Sequence, residues 1–176
     1  LISGGNSTLQ EFFHSYSVKY QEDNDYTKEI QEILQGKKLM HLDVGARGGV
    51  LRLIKKYSSF FDNIMCEPEP KEAKLLKSKG YKVIDKGLSN SIGKTTFFEL
   101  RDIFASSIKR PLGPYMEFYN PDPNYLALHE TVQEHTIECT TIASALSELE
   151  IPEIDLLKLD TQGSEFDILK GMGEYA

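Results

Sequence analysis

Apolar and polar positions follow different periods on either side of residue 37. Before it, apolar residues recur every three to four positions, over 9–20 and again over 26–34, which predicts two helices. After it, short apolar runs alternate with amphipathic stretches. This alternation is typical of a largely parallel β-sheet covered by helices on both faces. The pattern therefore predicts an N-terminal helical extension over residues 1–36 and an α/β domain over residues 37–176.

The hydrophobic pattern also gives bounds for the elements of the α/β domain. Strands are expected over 38–44, 62–66, 81–86, 94–100, 133–140 and 154–160. Helices are expected over 50–57, 70–79, 141–149 and 164–172, the last one capped by Ser164. A stretch rich in proline and tyrosine, 111–128, is predicted to be a long functional loop. The strand over 154–160 is apolar on both faces, which predicts neighbouring strands on both of its sides.

Composition excludes several classes of protein. The chain has 176 residues, 40% of them hydrophobic, and a net charge of -7. This acidic balance disfavours a nucleic-acid-binding protein, which needs a basic face, and the apolar runs fall far short of the ~20 residues that span a bilayer. Cys66 and Cys139 both lie in predicted strands, which favours buried reduced thiols and a cytoplasmic location. The four histidines show no metal-ligand spacing, so no metal site is expected.

The stretch "HLDVGARGGV", residues 41–50, joins the first predicted strand of the domain to the helix that follows. In an open parallel sheet, ligands bind at the carboxyl ends of the strands, and free N–H groups at a helix start favour an anion. Glu67 ends the second strand, 18 residues after Gly49. An acid at that position can accept hydrogen bonds from both hydroxyls of a ribose. These residues predict a nucleoside ligand that also carries an anionic group.

The spacing of the glycines distinguishes two kinds of cofactor. A dinucleotide site has the pattern G-x-G-x-x-G, which this chain breaks at Arg47 and Val50. S-adenosylmethionine has no pyrophosphate and needs less room, and Arg47 could assist in holding its carboxylate. The spacing thus favours S-adenosylmethionine over the cofactor of a nicotinamide-dependent oxidoreductase. A tight turn without a ligand, in a non-catalytic binding or interaction module, remains the other alternative.

Four stretches occur in the order and spacing of a known family: "LDVGARGG", "CEPEP", "GLSNSIGKTTFF" and "IDLLKLDTQGSEFDILKG". Over roughly residues 38 to 172, the chain resembles the FkbM-type methyltransferases. The most specific motif is K-x-D-x-x-G-x-E at Lys158, Asp160, Gly163 and Glu165. The resemblance implies a Rossmann-like class I methyltransferase fold that uses S-adenosylmethionine, with a hydroxyl of a sugar or natural product as the acceptor. Because family members continue with further strands, it also implies a sheet truncated after its fourth core strand and the following helix.

The resemblance carries cofactor roles over to individual residues. The implied set is Asp43, which organises the loop, Gly45, Ala46 and Gly49 for the methionine part, Glu67 for the ribose, Leu88 and Ser89 for the adenine, and Asp160 for the sulfonium or amino group. Arg47, expected from the glycine spacing to assist with the carboxylate, stands where the family most often has asparagine.

Catalytic and acceptor residues are expected around the last motif and the tyrosine-rich loop. Asp160 is the candidate general base. Lys158 shares its face of the strand, and a lysine in an apolar strand needs an acidic partner, either Asp160 or Asp43. Alternatively, Lys158 and Asp160 form a structural ion pair that only shapes the site. The acceptor, a small molecule or saccharide, is expected to meet Tyr115, Tyr119, Gln162 and Glu165. The strand order that the resemblance implies puts the first strand on one side of strand 154–160 and an absent fifth strand on the other. The open edge is then expected to be covered by another copy of the chain, by a further C-terminal segment or by aggregation.

Overall fold

The computed structural model describes residues 25–175. Two compact units separate between Gly36 and Lys37. In the first unit, helix α1 spans Thr27–Leu34 and ends at Gln35, which adopts a left-handed conformation. The helix predicted over 26–34 is therefore confirmed. The helix predicted over 9–20 lies outside the described residues.

The second unit contains seven strands and six α-helices among the described residues. The strands are β1 Leu39–Val44, β2 Phe61–Cys66, β3 Lys82–Ile84, β4 Gly87–Leu88, β5 Gly93–Leu100, β6 Thr131–Thr140 and β7 Leu156–Leu159. The helices are α2 Arg52–Lys56, α3 Pro70–Ser78, α4 Gly113–Tyr119, α5 Pro123–Leu128, α6 Ile142–Glu148 and α7 Glu165–Lys170. None of the helices in residues 25–175 is both long enough and apolar enough to span a membrane.

A four-stranded parallel sheet with the order β3-β2-β1-β7 forms the centre of this unit. Side chains alternate along its strands, so a strand can contribute to a core on each face of the sheet, as β2 and β3 do. Leu42 and Ile64 belong to a core on one face that also contains residues of α6 and α7. Met65 belongs to a core on the other face, together with Ala46 and with Leu76 of α3. The predicted α/β class, with a largely parallel sheet of Rossmann-like type, is confirmed.

The strands of a second sheet, with the order β4-β6-β5, lie between β3 and β7 along the chain. The long strands β5 and β6 are antiparallel, with Lys94 opposite Glu138 and Phe97 opposite His135. The extended structure predicted over 94–100 and 133–140 is confirmed, and both strands begin earlier than predicted. The strand predicted over 81–86 is shorter than expected: β3 ends at Ile84, and Gly87–Leu88 pairs with β6 in the second sheet instead.

The prediction of a long loop over 111–128 is wrong, because that stretch contains α4 and α5. Its prolines do not interrupt these helices. Pro114 and Pro123 each lie in the first turn, where the missing N–H of proline has no intrahelical partner to lose. Asp122 caps α5 by accepting a hydrogen bond from the N–H of Asn124 at 2.9 Å. The proline-rich composition therefore marks helix starts in this part of the chain.

The edge position expected for strand 154–160, with the first strand on one side of it, is confirmed among the described residues, whereas the expected burial of both of its faces is wrong. β7 covers Leu156–Leu159 and pairs with β1, which leaves it at the edge of the sheet. Leu156 is exposed, and the other three residues of the strand are half-buried. Leu157 and Leu159 pack against the core. The run of leucines thus reflects packing on one face of an edge strand.

Candidate functional site

A cavity of about 260 Å³ opens at the carboxyl ends of β1, β2 and β7. This is the edge of a parallel sheet at which ligands are expected to bind. Four charged side chains line it. Glu67 and Arg47 lie at the ends of β2 and β1, and Asp160 and Lys158 lie at the end of β7. The other lining residues that bear on its chemistry are Gly45, Gly49, Leu51, Gly87, Leu88, Phe97, Ile103, Phe104, Ser106, Ser107, Ile108, Thr161 and Gln162.

Gly45 allows the loop after β1 to pass directly against the end of β7. Its φ of +77° lies in the left-handed region, and a Cβ placed on it would overlap the carbonyl oxygen of Asp160. The N–H of Asp160 in turn donates to the carbonyl of Val44 at 3.1 Å. The glycine is therefore required by the close approach of two backbone segments, and this contact sets the distance between the loop and Asp160.

The loop N–H groups have partners within the protein. Those of Gly45 and Ala46 both donate to the carbonyl of Cys66 at 3.1 Å, and that of Gly49 donates to the carbonyl of Ala46 at 2.9 Å. The expectation that these N–H groups are free for an anion is therefore wrong. Ala46 is buried in the core against Met65, whereas Gly45 and Gly49 line the cavity.

Lys158 ties β7 to the glycine loop. Its Nζ lies 3.0 Å from Oδ1 of Asp43 and donates to the carbonyl of Gly45 at 2.9 Å. The distance to Oδ2 of Asp160 is longer, 3.8 Å. Asp43 is fully buried, and burial raises the pKa of its carboxyl, an effect that Lys158 opposes. Of the two acidic partners expected for Lys158, Asp43 is thus the closer one.

Asp160 stands at the end of β7 with an exposed carboxylate that borders the cavity. Gln162, which adopts a left-handed φ of 57°, donates from Nε2 to Oδ1 of Asp160 at 3.2 Å. Both residues were predicted for the site, and the structure brings them together. An amide donor on one oxygen and the more distant Lys158 on the other orient the carboxylate without burying it.

Glu165 shapes the loop that follows Asp160. Its carboxylate accepts hydrogen bonds from the N–H of Thr161 at 2.8 Å and from the N–H of Gly163 at 2.9 Å. Burial acts to raise the pKa of Glu165, but these hydrogen bonds outweigh it, so the pKa lies below its ordinary value. Ser164 occupies the N-cap position of α7 but makes no side-chain cap, contrary to expectation. The carboxylate expected to meet the acceptor is thus engaged with the loop backbone.

Glu67 follows β2 directly and is only 4% exposed. Its Oε1 accepts a hydrogen bond from the N–H of Glu69 at 3.0 Å. Its Oε2 accepts none from the part of the chain that the structure describes. Burial raises the pKa of the Glu67 carboxyl, while the N–H of Glu69 and the guanidinium of Arg47 oppose that rise. A buried carboxylate with an oxygen available at the cavity is suited to a pair of hydroxyl donors.

Arg47 points toward acidic side chains at the start of α3. Nη2 lies 3.7 Å from Oε1 of Glu67 and 3.7 Å from Oε2 of Glu69, and Nη1 lies 3.9 Å from Oε2 of Glu72. Nη2 is buried, and no hydrogen-bond partner for it lies within residues 25–175. Glu72 also accepts the N–H of Gly48 at 3.1 Å. The guanidinium therefore lies among the carboxylates on the Glu67 side of the cavity.

The two residues predicted to lie against an adenine are in different places. Leu88 is buried in β4 and lines the cavity. Ser89 is half-buried, and its N–H donates to the carbonyl of Thr140 at 2.9 Å. Its own carbonyl lies so close to Gly171 that a Cβ there would overlap it. Ser89 is therefore a backbone contact between β4 and the end of α7, and it is not among the cavity lining.

The structure does not bring Tyr115 and Tyr119 to the cavity. Both lie on α4 with exposed side chains. The wall is formed instead by residues 103–108, which the sequence analysis missed. Phe104 is 67% exposed there, and Ser107 donates to the carbonyl of Thr161 at 2.7 Å. Residues 103–105 form a single short 3-10 turn, which is too short to show a helical or strand period, so the sequence gives no signal for this wall.

No group of three or more metal-binding side chains lies together among residues 25–175. The sequence profile described as the methyltransferase FkbM domain matches residues 43–176, which is most of the chain. A search of the curated proteins and a search of the solved structures found no match.

Proposed function

Because the chain belongs to the FkbM methyltransferase family, we propose that it methylates a hydroxyl group of a small molecule or saccharide, with S-adenosylmethionine as the methyl donor. The observation that carries the proposal is Glu67: a buried carboxylate at the end of β2 that borders the cavity and has an oxygen without a hydrogen-bond partner among the described residues. A ribose supplies two hydroxyl donors for such an acceptor.

The residues around the cavity fit the other parts of the cofactor. Leu88 offers an apolar surface for the adenine, and Gly45 and Gly49 leave room for the methionine part beside the loop. Asp160 contributes negative charge where a sulfonium would be stabilised. When bound, S-adenosylmethionine supplies a methyl group on a good leaving group. The protein then has to orient the acceptor and accept its proton.

Asp160 is the proposed general base. Its carboxylate is exposed toward the cavity and is oriented by Gln162, so it can take the proton of an acceptor hydroxyl as that oxygen attacks. Lys158 is proposed to hold the loop and β7 in register through Asp43 and Gly45. A lysine engaged in this way is a poor base, so the proton of the acceptor hydroxyl is proposed to go to Asp160.

The acceptor is proposed to lie against the turn formed by residues 103–108. The ring of Phe104 offers an apolar face of the kind that packs on the C–H face of a sugar, and Ser106 offers a hydroxyl nearby. Transfer of labelled methyl groups to a panel of sugars and other alcohols tests this part. Phe104→Ala is expected to lower transfer and spare cofactor binding, whereas Phe118→Ala, on the exposed face of α4, is expected to change neither.

Calorimetric titration with S-adenosylmethionine, S-adenosylhomocysteine and NAD tests the function as a whole. Binding of the first two without the third is the expected result. Binding of NAD alone would indicate an oxidoreductase, and binding of none of them would indicate a non-catalytic module. We also propose a cytoplasmic location, which is supported by two buried cysteines that are not in a disulfide.

A further inference from the structure

Arg47 has a local environment that its place in a glycine loop does not explain. Its side chain is 14% exposed, and three carboxylates lie within 4 Å of the guanidinium, those of Glu67, Glu69 and Glu72. Three acids around one guanidinium leave a net negative charge in a poorly hydrated place. Such a cluster is stable only because the cation is present, since a buried carboxylate without a partner is strongly destabilising.

The members of this cluster come from two segments of the chain, the loop after β1 and the segment from the end of β2 into α3, and they meet at the proposed ribose acid. Arg47 belongs to the loop after β1, and Glu67 follows β2. Glu69 and Glu72 belong to the start of α3, where Glu69 caps the helix by accepting the N–H groups of Lys71 and Glu72. Glu72 reaches back to the N–H of Gly48. The guanidinium thus connects the loop to the helix across the position of Glu67.

We infer that Arg47 is a positioning residue for Glu67: its guanidinium offsets the charge of that carboxylate and keeps it directed at the cavity, and it does not bind the carboxylate of the cofactor. The inference rests on the proposed function, because it assigns Glu67 to the ribose. It replaces the expectation from the glycine pattern that Arg47 meets the methionine part. The distances support the new assignment, since the guanidinium already lies beside carboxylates on the nucleoside side.

The two roles of Arg47 predict different ligand dependence. S-adenosylhomocysteine has both a ribose and an amino-acid carboxylate, whereas 5′-methylthioadenosine has the ribose and no carboxylate. If Arg47 acts through Glu67, Arg47→Gln weakens both ligands by the same factor, about tenfold or more, as 1.4 kcal/mol corresponds to tenfold. If Arg47 binds the cofactor carboxylate, the variant weakens S-adenosylhomocysteine and leaves 5′-methylthioadenosine unchanged, which would overturn the inference.

A pH profile gives a second readout that a purely structural role would not move. Glu67 faces Arg47 from the loop and Glu69 and Glu72 from α3, and it shares the cavity with Lys158 and Asp160. Affinity requires the ionised carboxylate, so it is present above the pKa of Glu67 and lost as the pH falls through it. Arg47 lowers that pKa, and its removal therefore moves the loss of affinity to higher pH. An unshifted profile in Arg47→Gln contradicts the inference.

Control variants separate these outcomes from misfolding. Arg101→Gln removes the same charge from an exposed pair with Glu130 and should bind both ligands as the wild type does. Arg47→Lys keeps the charge without the guanidinium fork and should restore part of the affinity. If Arg47→Gln does not fold, Arg47→Lys is compared with the wild type on both ligands in its place.

In a Glu67→Gln background, Arg47→Gln should cause no further loss of affinity for either ligand. If the wild type binds neither ligand, the proposed function fails; if only the Arg47 variants behave as the wild type does, the inference alone fails.

Discussion

At the scale of single residues, the two carboxylate oxygens of Glu67 differ in their hydrogen-bond partners. Oε1 accepts the N–H of Glu69, which fixes the side chain, while Oε2 has no partner among the described residues. Replacing Glu67 by alanine removes an acceptor for two hydroxyls, and we expect S-adenosylmethionine to bind more weakly by roughly 2–4 kcal/mol. Calorimetric titration measures this loss. Glu138→Ala, which removes an exposed acid on β6, is the matched control, and an unchanged affinity in a folded Glu67→Ala variant would rule out the ribose role.

Gly45 is a residue whose substitution has two separable costs. Its φ of +77° costs a residue with a Cβ about 1–2 kcal/mol. Overlap with the carbonyl of Asp160 adds about 1–3 kcal/mol, as in an overpacked core. Gly80→Ala carries the first cost alone, because Gly80 has a φ of +87° and open space around it. Chemical denaturation should therefore show Gly45→Ala to be clearly less stable than Gly80→Ala, and equal stabilities would mean that the backbone contact is not tight.

At the scale of elements, the pair of Lys158 and Asp43 joins β7 to β1. Both strands end in the cavity, so the pair fixes the edge on which Asp160 stands. Lys158→Met leaves the buried Asp43 without its cation, and we expect a loss of about 3 kcal/mol in the free energy of unfolding at neutral pH. The double variant with Asp43→Asn removes the isolated charge and should recover part of that loss.

The pH dependence of the Lys158→Met variant follows from the raised pKa of Asp43. Burial holds that pKa above 3.8, and removal of Lys158 raises it further, because Lys158 lowers it in the wild type. A group with a raised pKa stabilises the fold below its unfolded value and loses that contribution as the pH rises. The deficit of the variant should therefore be small near pH 3.8 and should grow as the pH rises through the pKa of Asp43. A deficit that does not change with pH would contradict the ion-pair account.

The hydrophobic pattern predicted the elements that have a long, regular period. Helix α3 was expected over 70–79 and spans Pro70–Ser78, and α6 was expected over 141–149 and spans Ile142–Glu148. The pattern failed at 111–128, where each helix is too short to show a period and has a proline in its first turn. It also failed to predict the burial of β7, because a run of leucines has the same appearance in a strand that packs on both faces and in a strand that packs on one face.

The sequence also predicted the four charged residues that line the cavity, Arg47, Glu67, Lys158 and Asp160, and it predicted the two acids by position. A residue at the carboxyl end of a parallel strand lies at the cavity whatever its neighbours are, which is why Glu67 and Asp160 were found. The partners of a side chain depend on packing between elements distant in the sequence. For this reason the contacts of Arg47 with Glu69 and Glu72, the engaged loop N–H groups and the wall at Phe104 could not be predicted.

At the scale of the whole molecule, the outer edge of β7 has no neighbouring strand within the described residues. Unpaired N–H and C=O groups on a strand edge recruit further strands, whereas the net charge of -7 opposes association. At about 0.15 M ionic strength, where charges are screened beyond ~8 Å, we expect the chain to self-associate in sedimentation velocity. Leu156→Lys, at an exposed position of β7, should reduce this association. A monomer at all concentrations would show that the edge does not recruit a second copy.

The central claim is that the cavity at the ends of β1, β2 and β7 holds S-adenosylmethionine with its ribose on Glu67. A crystal structure of the protein with S-adenosylhomocysteine tests it most directly. The account predicts a ribose whose hydroxyls donate to Glu67, an adenine beside Leu88, and a sulfur on the side of Asp160. A ligand bound elsewhere, or a ribose that makes no contact with Glu67, would contradict the account.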